Sequence, residues 1–254
     1  MPRLWGLSLN VMTDLRAVLF DIDDTLCATT EFARRARLNA VRAMLAAGLL
    51  SDEQTVLAEL AEVISEFSSN YEHHFDKLLL RLPPAAHEHL NRALVVAAGV
   101  AAYHDTKFQE LEPFEGVHQL FADLGVAGVR VGIITHGWTV KQAEKLVRLG
   151  LVGFLDPQAI FISDQVGISK PNPKLYSTAL RSLGLTPAES MYVGDNPAHD
   201  IAPPKSLGMV TVWARAAAKH QPEGAADKPD HTIDSFADLR AILRQDYGVS
   251  VPEA

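Results

Sequence analysis

Arg16-Ala17-Val18-Leu19-Phe20-Asp21-Ile22-Asp23-Asp24-Thr25-Leu26 carries the strongest structural signal in the chain. Ala17 to Phe20 is a short apolar run, the pattern of a strand buried on both faces of a parallel sheet. The run stops on three acids, Asp21, Asp23 and Asp24. Carboxylates crowded at the tip of a buried strand raise one another's pKa, and a nearby cation removes that penalty. A plain turn accounts for one Asp and for Thr25. It does not account for three acids directly after a core strand, so the stretch reads as a catalytic metal site.

The rest of the composition narrows the class. The 254 residues allow one large domain or a core domain with an insertion. A net charge of −8 argues against a nucleic acid or an anionic membrane surface as partner. No stretch approaches the roughly 20 apolar residues of a transmembrane helix. The single cysteine, Cys27, excludes an intrachain disulfide and fits a reducing cytoplasm. No evident base stands beside Cys27, so it reads as a small packing side chain rather than a nucleophile. Met1 to Asn10 lacks the cationic start and sustained apolar middle of a signal peptide. Residues 1–14 are expected to be an N-terminal leader, with Met1 to Val11 either disordered or ahead of a true start at Met12.

After Leu26 the texture turns helical. Thr29 to Ala47 reads as an amphipathic helix ending at Gly48, and Ser51 with Gln54 as a capping box ahead of a helix to about Phe67. Tyr71 to Leu82 and Ala85 to Phe108 read as two more helices, separated by Pro83-Pro84. From Pro113 strands alternate with helices. Strands are expected at Val129 to Ile134, Ala159 to Ile162, Ser190 to Val193 and Met209 to Trp213. Ala216 to Pro229 reads as a mobile surface loop and Phe236 to Arg244 as a closing helix. The pattern predicts an α/β fold with a parallel, doubly wound sheet and an inserted all-helical block. Residues 15–27 and 112–254 form its core and 28–111 the insertion.

In open parallel sheets, ligands bind beyond the carboxyl ends of the strands, where this chain places its polar groups. Asp21 and Asp23 follow the first strand, Thr135 the second, Lys170 the third and Asp195 the fourth, with Asp200 close behind. Taken singly, each has a bland reading: Thr135 as a helix cap, Lys170 as a solvated loop lysine, Asp200 as an acid at a helix start. Together they supply an anionic nucleophile, a hydroxyl, an ammonium and further acids, a kit for phosphoryl transfer. No P-loop sequence occurs.

These residues resemble the four ordered motifs of the haloacid dehalogenase (HAD) superfamily of aspartate-nucleophile phosphatases. The first is Asp21-Ile22-Asp23-Asp24-Thr25 and the second Thr135-His136-Gly137; the third is Lys170-Pro171 and the fourth Gly194-Asp195 through Asp200. The helical block resembles the C1-type cap of a Rossmann-like HAD core. Asn70 to Asp76, Tyr103 to Phe108 and Thr211-Val212-Trp213 carry a further likeness to phosphatases related to archaeal glyceraldehyde-3-phosphate phosphatase. The resemblance implies a Mg²⁺-dependent phosphatase of small phosphorylated metabolites such as sugar or triose phosphates. Asp21 would be the nucleophile, Asp23 the acid and base, and Lys170 the neutralising cation. Asp21, Asp195 and the Asp23 carbonyl would hold the metal, with Asp24 and Asp200 behind them. Thr135, His136 and Gly137 would hold phosphate.

The inserted helices are expected to close over the site and to contribute His74, Tyr103 or Lys107 to the substrate, and their apolar stripes to bury either within the bundle or against a second subunit in a homodimer. His136, His199 and Pro203-Pro204 depart from the usual motif residues, leaving the His136 side chain able to reach substrate. The rivals are a 2-haloacid dehalogenase, which needs no metal and no acid at position 23, and a phosphomutase.

Overall fold

The computed structural model describes residues 14–68 and 71–252. The expected leader lies almost entirely outside the described residues. The chain divides into two compact units. One holds the described residues up to Leu26, Phe114–His136 and those from Leu151 on; the other holds Cys27–Pro113 and Gly137–Gly150.

The first unit is built on six parallel strands: β1 (Ala17–Phe20), β2 (Arg130–Thr135), β3 (Ile160–Ile162), β4 (Ser190–Gly194), β5 (Val210–Ala214) and β6 (His231–Ile233). Their order is β3-β2-β1-β4-β5-β6. β1 lies in the middle, and all four of its side chains are buried, which explains the unbroken apolar run. Phe20 is level with Ile133 on one side and Val193 on the other, so Asp21 leaves the sheet beside Gly194. Gly132 permits the close approach of β2 to β3: a Cβ there would sit 2.5 Å from the Ala159 carbonyl oxygen.

Tyr192 and Tyr176 meet edge to face under the sheet tips, with ring centroids 5.0 Å apart. Their hydroxyls donate to the main-chain carbonyls of Ile134 and His199 at 2.6 Å, so neither buried phenol is unsatisfied.

The helices of the other unit are α1 (Thr29–Ala46), α2 (Glu53–Phe67), α3 (His74–Arg81) and α4 (Arg92–Glu110). Met44, Val56, Leu60, Leu78, Leu79 and Val95 share its core. Gly99 lets α4 approach α1 closely; a Cβ there would touch Met44 at 3.0 Å. The first unit adds α5 (Val117–Val126), whereas α6 (Thr139–Arg148) groups with the inserted helices. That differs from the expected boundary. Within that unit, the Lys107 ammonium meets Glu144 of α6 at 2.5 Å.

Along the rest of the first unit run α7 (Ser163–Val166), α8 (Pro173–Leu183), α9 (Ala202–Leu207) and α10 (Phe236–Tyr247). Asn172 caps α8 by accepting from the Lys174 amide at 3.0 Å, with Pro173 in the first turn and Gly184 closing the end. Pro203 and Pro204 fall in the first turn of α9, where a missing N–H costs nothing; a single π turn, Pro197–Ile201, precedes it.

Four local readings are corrected. Asp52, not Ser51, caps α2, accepting from the Thr55 amide at 2.9 Å. The third helix starts at His74 rather than Tyr71. The expected helix from Ala85 is a 3₁₀ turn, Pro84–Ala86, and α4 begins only after Asn91, which caps it through the Ala93 amide. β6 was not expected, because three residues carrying an exposed Thr232 give no apolar run.

Candidate active site

The groups that line the cavity belong to the first unit. A cavity of about 170 Å³ opens at the carboxyl ends of β1, β2 and β4, lined by Asp21, Asp23, Asp195, Asp200, Lys170 and His136, among others. Asp21 is fixed by its own amide, which donates to the Val193 carbonyl at 2.9 Å. The Lys170 ammonium donates to Asp21 Oδ1 and to Asp200 Oδ1, both at 2.7 Å. All three side chains are buried, and Nζ lies 5.3 Å from the centre of the Tyr192 ring.

Asp200 is itself held tightly. Its Oδ2 accepts from the Asn196 amide at 3.0 Å, and it lies against Gly194, where a Cβ would fall 2.4 Å from the Asp200 Cβ. Glycine at 194 is therefore a packing requirement. Asp195 accepts from Thr25 Oγ1 at 3.4 Å, while the Trp213 indole donates to its main-chain carbonyl at 2.8 Å. One carboxylate oxygen from each of Asp21, Asp195 and Asp200 lies within 4.8 Å of the others.

The electrostatics follow from this crowding. Burial, with Asp200, Asp21 and Asp24 nearby, pushes Asp195 up to about 8. Burial pushes Asp21 up to about 6, against the pull of Lys170 and with the push of Asp200 and Asp23. Lys170 is raised: Asp200 and Asp21 outweigh its own desolvation and keep it charged. Three hard oxygen donors that repel one another fit a divalent cation such as Mg²⁺. Asp200 joins the expected set as a potential ligand.

A sign follows for stability. Asp195 has an ordinary value of 3.8 and a folded value of about 8. Between these limits the folded state keeps a proton that the unfolded chain releases, so stability falls as pH rises. In chelator, the thermal midpoint is expected to fall from pH 5 to pH 8. Asp195→Asn flattens that slope, and Mg²⁺ raises the wild-type midpoint more at pH 8 than at pH 5. Calorimetry reads all three; a slope unchanged by the substitution contradicts the assignment.

Thr135 ends β2 fully buried, and its Oγ1 has no hydrogen-bond partner among the described residues. A buried hydroxyl without a partner is costly unless a ligand supplies one. His136 Nδ1 lies 2.7 Å from Ser169 Oγ and 3.3 Å from Ser163 Oγ, contacts with no signal in the sequence. Gly137 has φ of 137° and belongs to the unit of inserted helices, where a Cβ would meet Gln142 at 2.6 Å.

In that same unit, His74 Nε2 lies 2.8 Å from the Ser68 carbonyl, and burial lowers its pKa. Tyr103 meets Phe32 edge-on at 6.2 Å, and burial raises its hydroxyl's pKa. The cavity is also lined by a residue that carries no signal in the sequence. Lys219 lies in the loop after β5 and pairs with Asp24 at 2.9 Å. Its signal is absent because an isolated lysine in a polar loop is ordinary.

A six-stranded parallel sheet with an acid-lined cavity at its strand tips and a buried lysine between two carboxylates defines a class. The chain belongs to the haloacid dehalogenase-like hydrolase family, whose sequence model matches residues 18–214. It is 43% identical over 236 residues to a glyceraldehyde 3-phosphate phosphatase of Methanopyrus kandleri, covering 91% of this chain and 98% of that one. A protein of the same name from Pyrococcus furiosus is 37% identical over 93% of this chain and 96% of its own length. Among solved structures, a HAD phosphatase from Thermococcus onnurineus matches with a TM-score of 0.64 at 23% identity, covering 90% of this chain and 98% of that one. The enzyme is a phosphoric monoester hydrolase. Among the described residues, no helix is long and apolar enough to cross a membrane.

Proposed function

We propose that the protein is a Mg²⁺-dependent phosphatase of small phosphate monoesters, triose phosphates and glyceraldehyde 3-phosphate foremost, acting through an aspartyl-phosphate on Asp21. The observation that carries this reading is the Lys170 ammonium shared by Asp21 and Asp200 at 2.7 Å. Beside it stand Asp195 and the unpartnered Thr135 hydroxyl. The substrate comes from the relatives' names and their coverage of nearly the whole chain.

When bound by Asp21, Asp195 and the Asp23 carbonyl, with Asp200 beside them, Mg²⁺ would mask negative charge so that a carboxylate can approach a phosphate. Asp21 attacks phosphorus, and the ester P–O bond breaks. Asp23, as the acid, gives its proton to the departing alkoxide oxygen. It then takes a proton from the water that attacks the aspartyl-phosphate, and the bond from phosphorus to Asp21 breaks to release inorganic phosphate. Lys170 offsets charge on the transferring group, and Asp200 holds Lys170 in place. Thr135 Oγ1 and the main-chain amides after it hold phosphate oxygens. His74, Tyr103 and Lys107 are the candidates for reading the rest of the substrate.

A panel of phosphorylated metabolites assayed with and without Mg²⁺ tests this. Triose phosphates are expected to give the highest kcat/KM, and EDTA to remove activity that Mg²⁺ restores. Activity that survives EDTA, or 2-haloacids turned over in place of phosphate esters, contradicts it.

A further inference from the structure

The turn after β1 carries Asp23, Asp24 and Thr25 in succession, and contacts within the first unit hold it. Thr25 Oγ1 donates to Asp195 at 3.4 Å. Asp24, with only 5% of its side chain exposed, pairs with the Lys219 ammonium at 2.9 Å. Asp23, the first of the three, lines the same cavity as Lys219. Asp24 has φ of 56°, the left-handed region that Asp enters more readily than most residues but still at some cost. Such a conformation persists only where surrounding contacts hold it.

Lys219 comes from a distance to do this. It follows β5, which is separated from β1 by β4. The loop therefore spans the tip of β4, where Asp195 stands, to reach the turn after β1. The loop is internally braced: the Ala218 amide donates to the Arg215 carbonyl at 3.1 Å, and Asp227 accepts from the amides of Glu223 and Gly224 at 2.9 and 2.7 Å. The expected mobile loop thus brings a cation to a buried carboxylate one residue from the proposed acid.

We infer that Lys219 is a positioning residue for the general acid: through its ion pair with Asp24 it fixes the turn that aims the Asp23 carboxyl at the leaving oxygen. This rests on the phosphatase reading above. The step served is one proton transfer, from the Asp23 carboxylic acid to the ester oxygen as its bond to phosphorus breaks and Asp21 bonds to phosphorus. The demand for that proton depends on the leaving group. An alkoxide must receive it; p-nitrophenolate departs as the anion.

The test is kcat/KM, which reports the steps through departure of the alcohol. Lys219→Met is assayed with the best alkyl phosphate of the metabolite panel and with p-nitrophenyl phosphate. A misaimed acid is expected to lower the alkyl value by about tenfold or more, and the aryl value by no more than about twofold. Lys219→Arg, which keeps the charge and can reach Asp24, restores the alkyl value. In the Asp24→Asn background, Lys219→Met causes no further alkyl-selective loss, because the pair is already broken.

Equal losses on both substrates would make Lys219 a direct phosphate ligand or a general electrostatic aid and overturn the inference. So would no loss on either. Asp23→Asn separates the two levels of reading. If it shows a large alkyl-selective loss and Lys219→Met does not, the inference fails alone. If Asp23→Asn shows no selectivity, the role given to Asp23 fails with it.

Discussion

Asp21→Asn is expected to lower kcat for every phosphate monoester by about ten-thousand-fold or more while the protein stays folded. The size of the loss follows from what the side chain does. An amide cannot take the phosphoryl group as an acyl phosphate, and no neighbour can replace it, because Asp200 is tied to Lys170 and the Asn196 amide. The fold should tolerate the change, since Asn has the same shape and Lys170 keeps Asp200 as its partner. Removing one carboxylate also relieves Asp195, which Asp21 pushes upward. The metal-free thermal midpoint is therefore expected to be equal to or above that of the wild type. Steady-state kinetics over the panel and a melting curve check both halves. A variant keeping more than a few per cent of wild-type kcat contradicts the nucleophile assignment.

Lys170→Met is the second large effect, and it should strike activity and stability together. Without the ammonium, Asp21 and Asp200 face each other buried and unpaired. Breaking a buried pair by removing one partner costs about 3–5 kcal/mol, and losing a charge-stabilising donor costs about 100- to 1000-fold in kcat. The pH dependence has a definite sign. Lys170 lowers the pKa of Asp21, so its loss raises that value further above the unfolded one. The variant's deficit should be smallest near pH 5, where the acids can take up protons, and grow toward pH 8. Melting curves at the two pH values check this; a deficit that shrinks as pH rises contradicts the picture.

Much of this was legible because the sheet writes its own signature. β1 is central and buried on both faces, so it appears as a pure apolar run. In a parallel sheet the chain must leave every strand at the same end, so the polar residues after each strand share one neighbourhood. The structure brings together Asp21, Lys170, Asp195 and Asp200 for that reason.

The rest was illegible for equally physical reasons. Which neighbour a helix packs on depends on partners that periodicity does not name, so α6 read as part of the α/β core. Ser51 and Asp52 are both good caps, and only the geometry picks Asp52. β6 is too short and too exposed to leave a pattern. The pairing of Lys219 with Asp24 joins a polar loop to a turn almost 200 residues away, and local sequence holds no trace of it.

Turnover by the proposed route requires that Asp21 become covalently phosphorylated. The most direct measurement is an acid quench of the enzyme turning over a phosphate ester carrying radiolabelled phosphorus, followed by digestion and location of the label. Label is expected on the peptide containing Asp21, released by hydroxylamine as an acyl phosphate must be and absent in Asp21→Asn. Label on another residue, or rapid turnover with no labelled peptide, would contradict it.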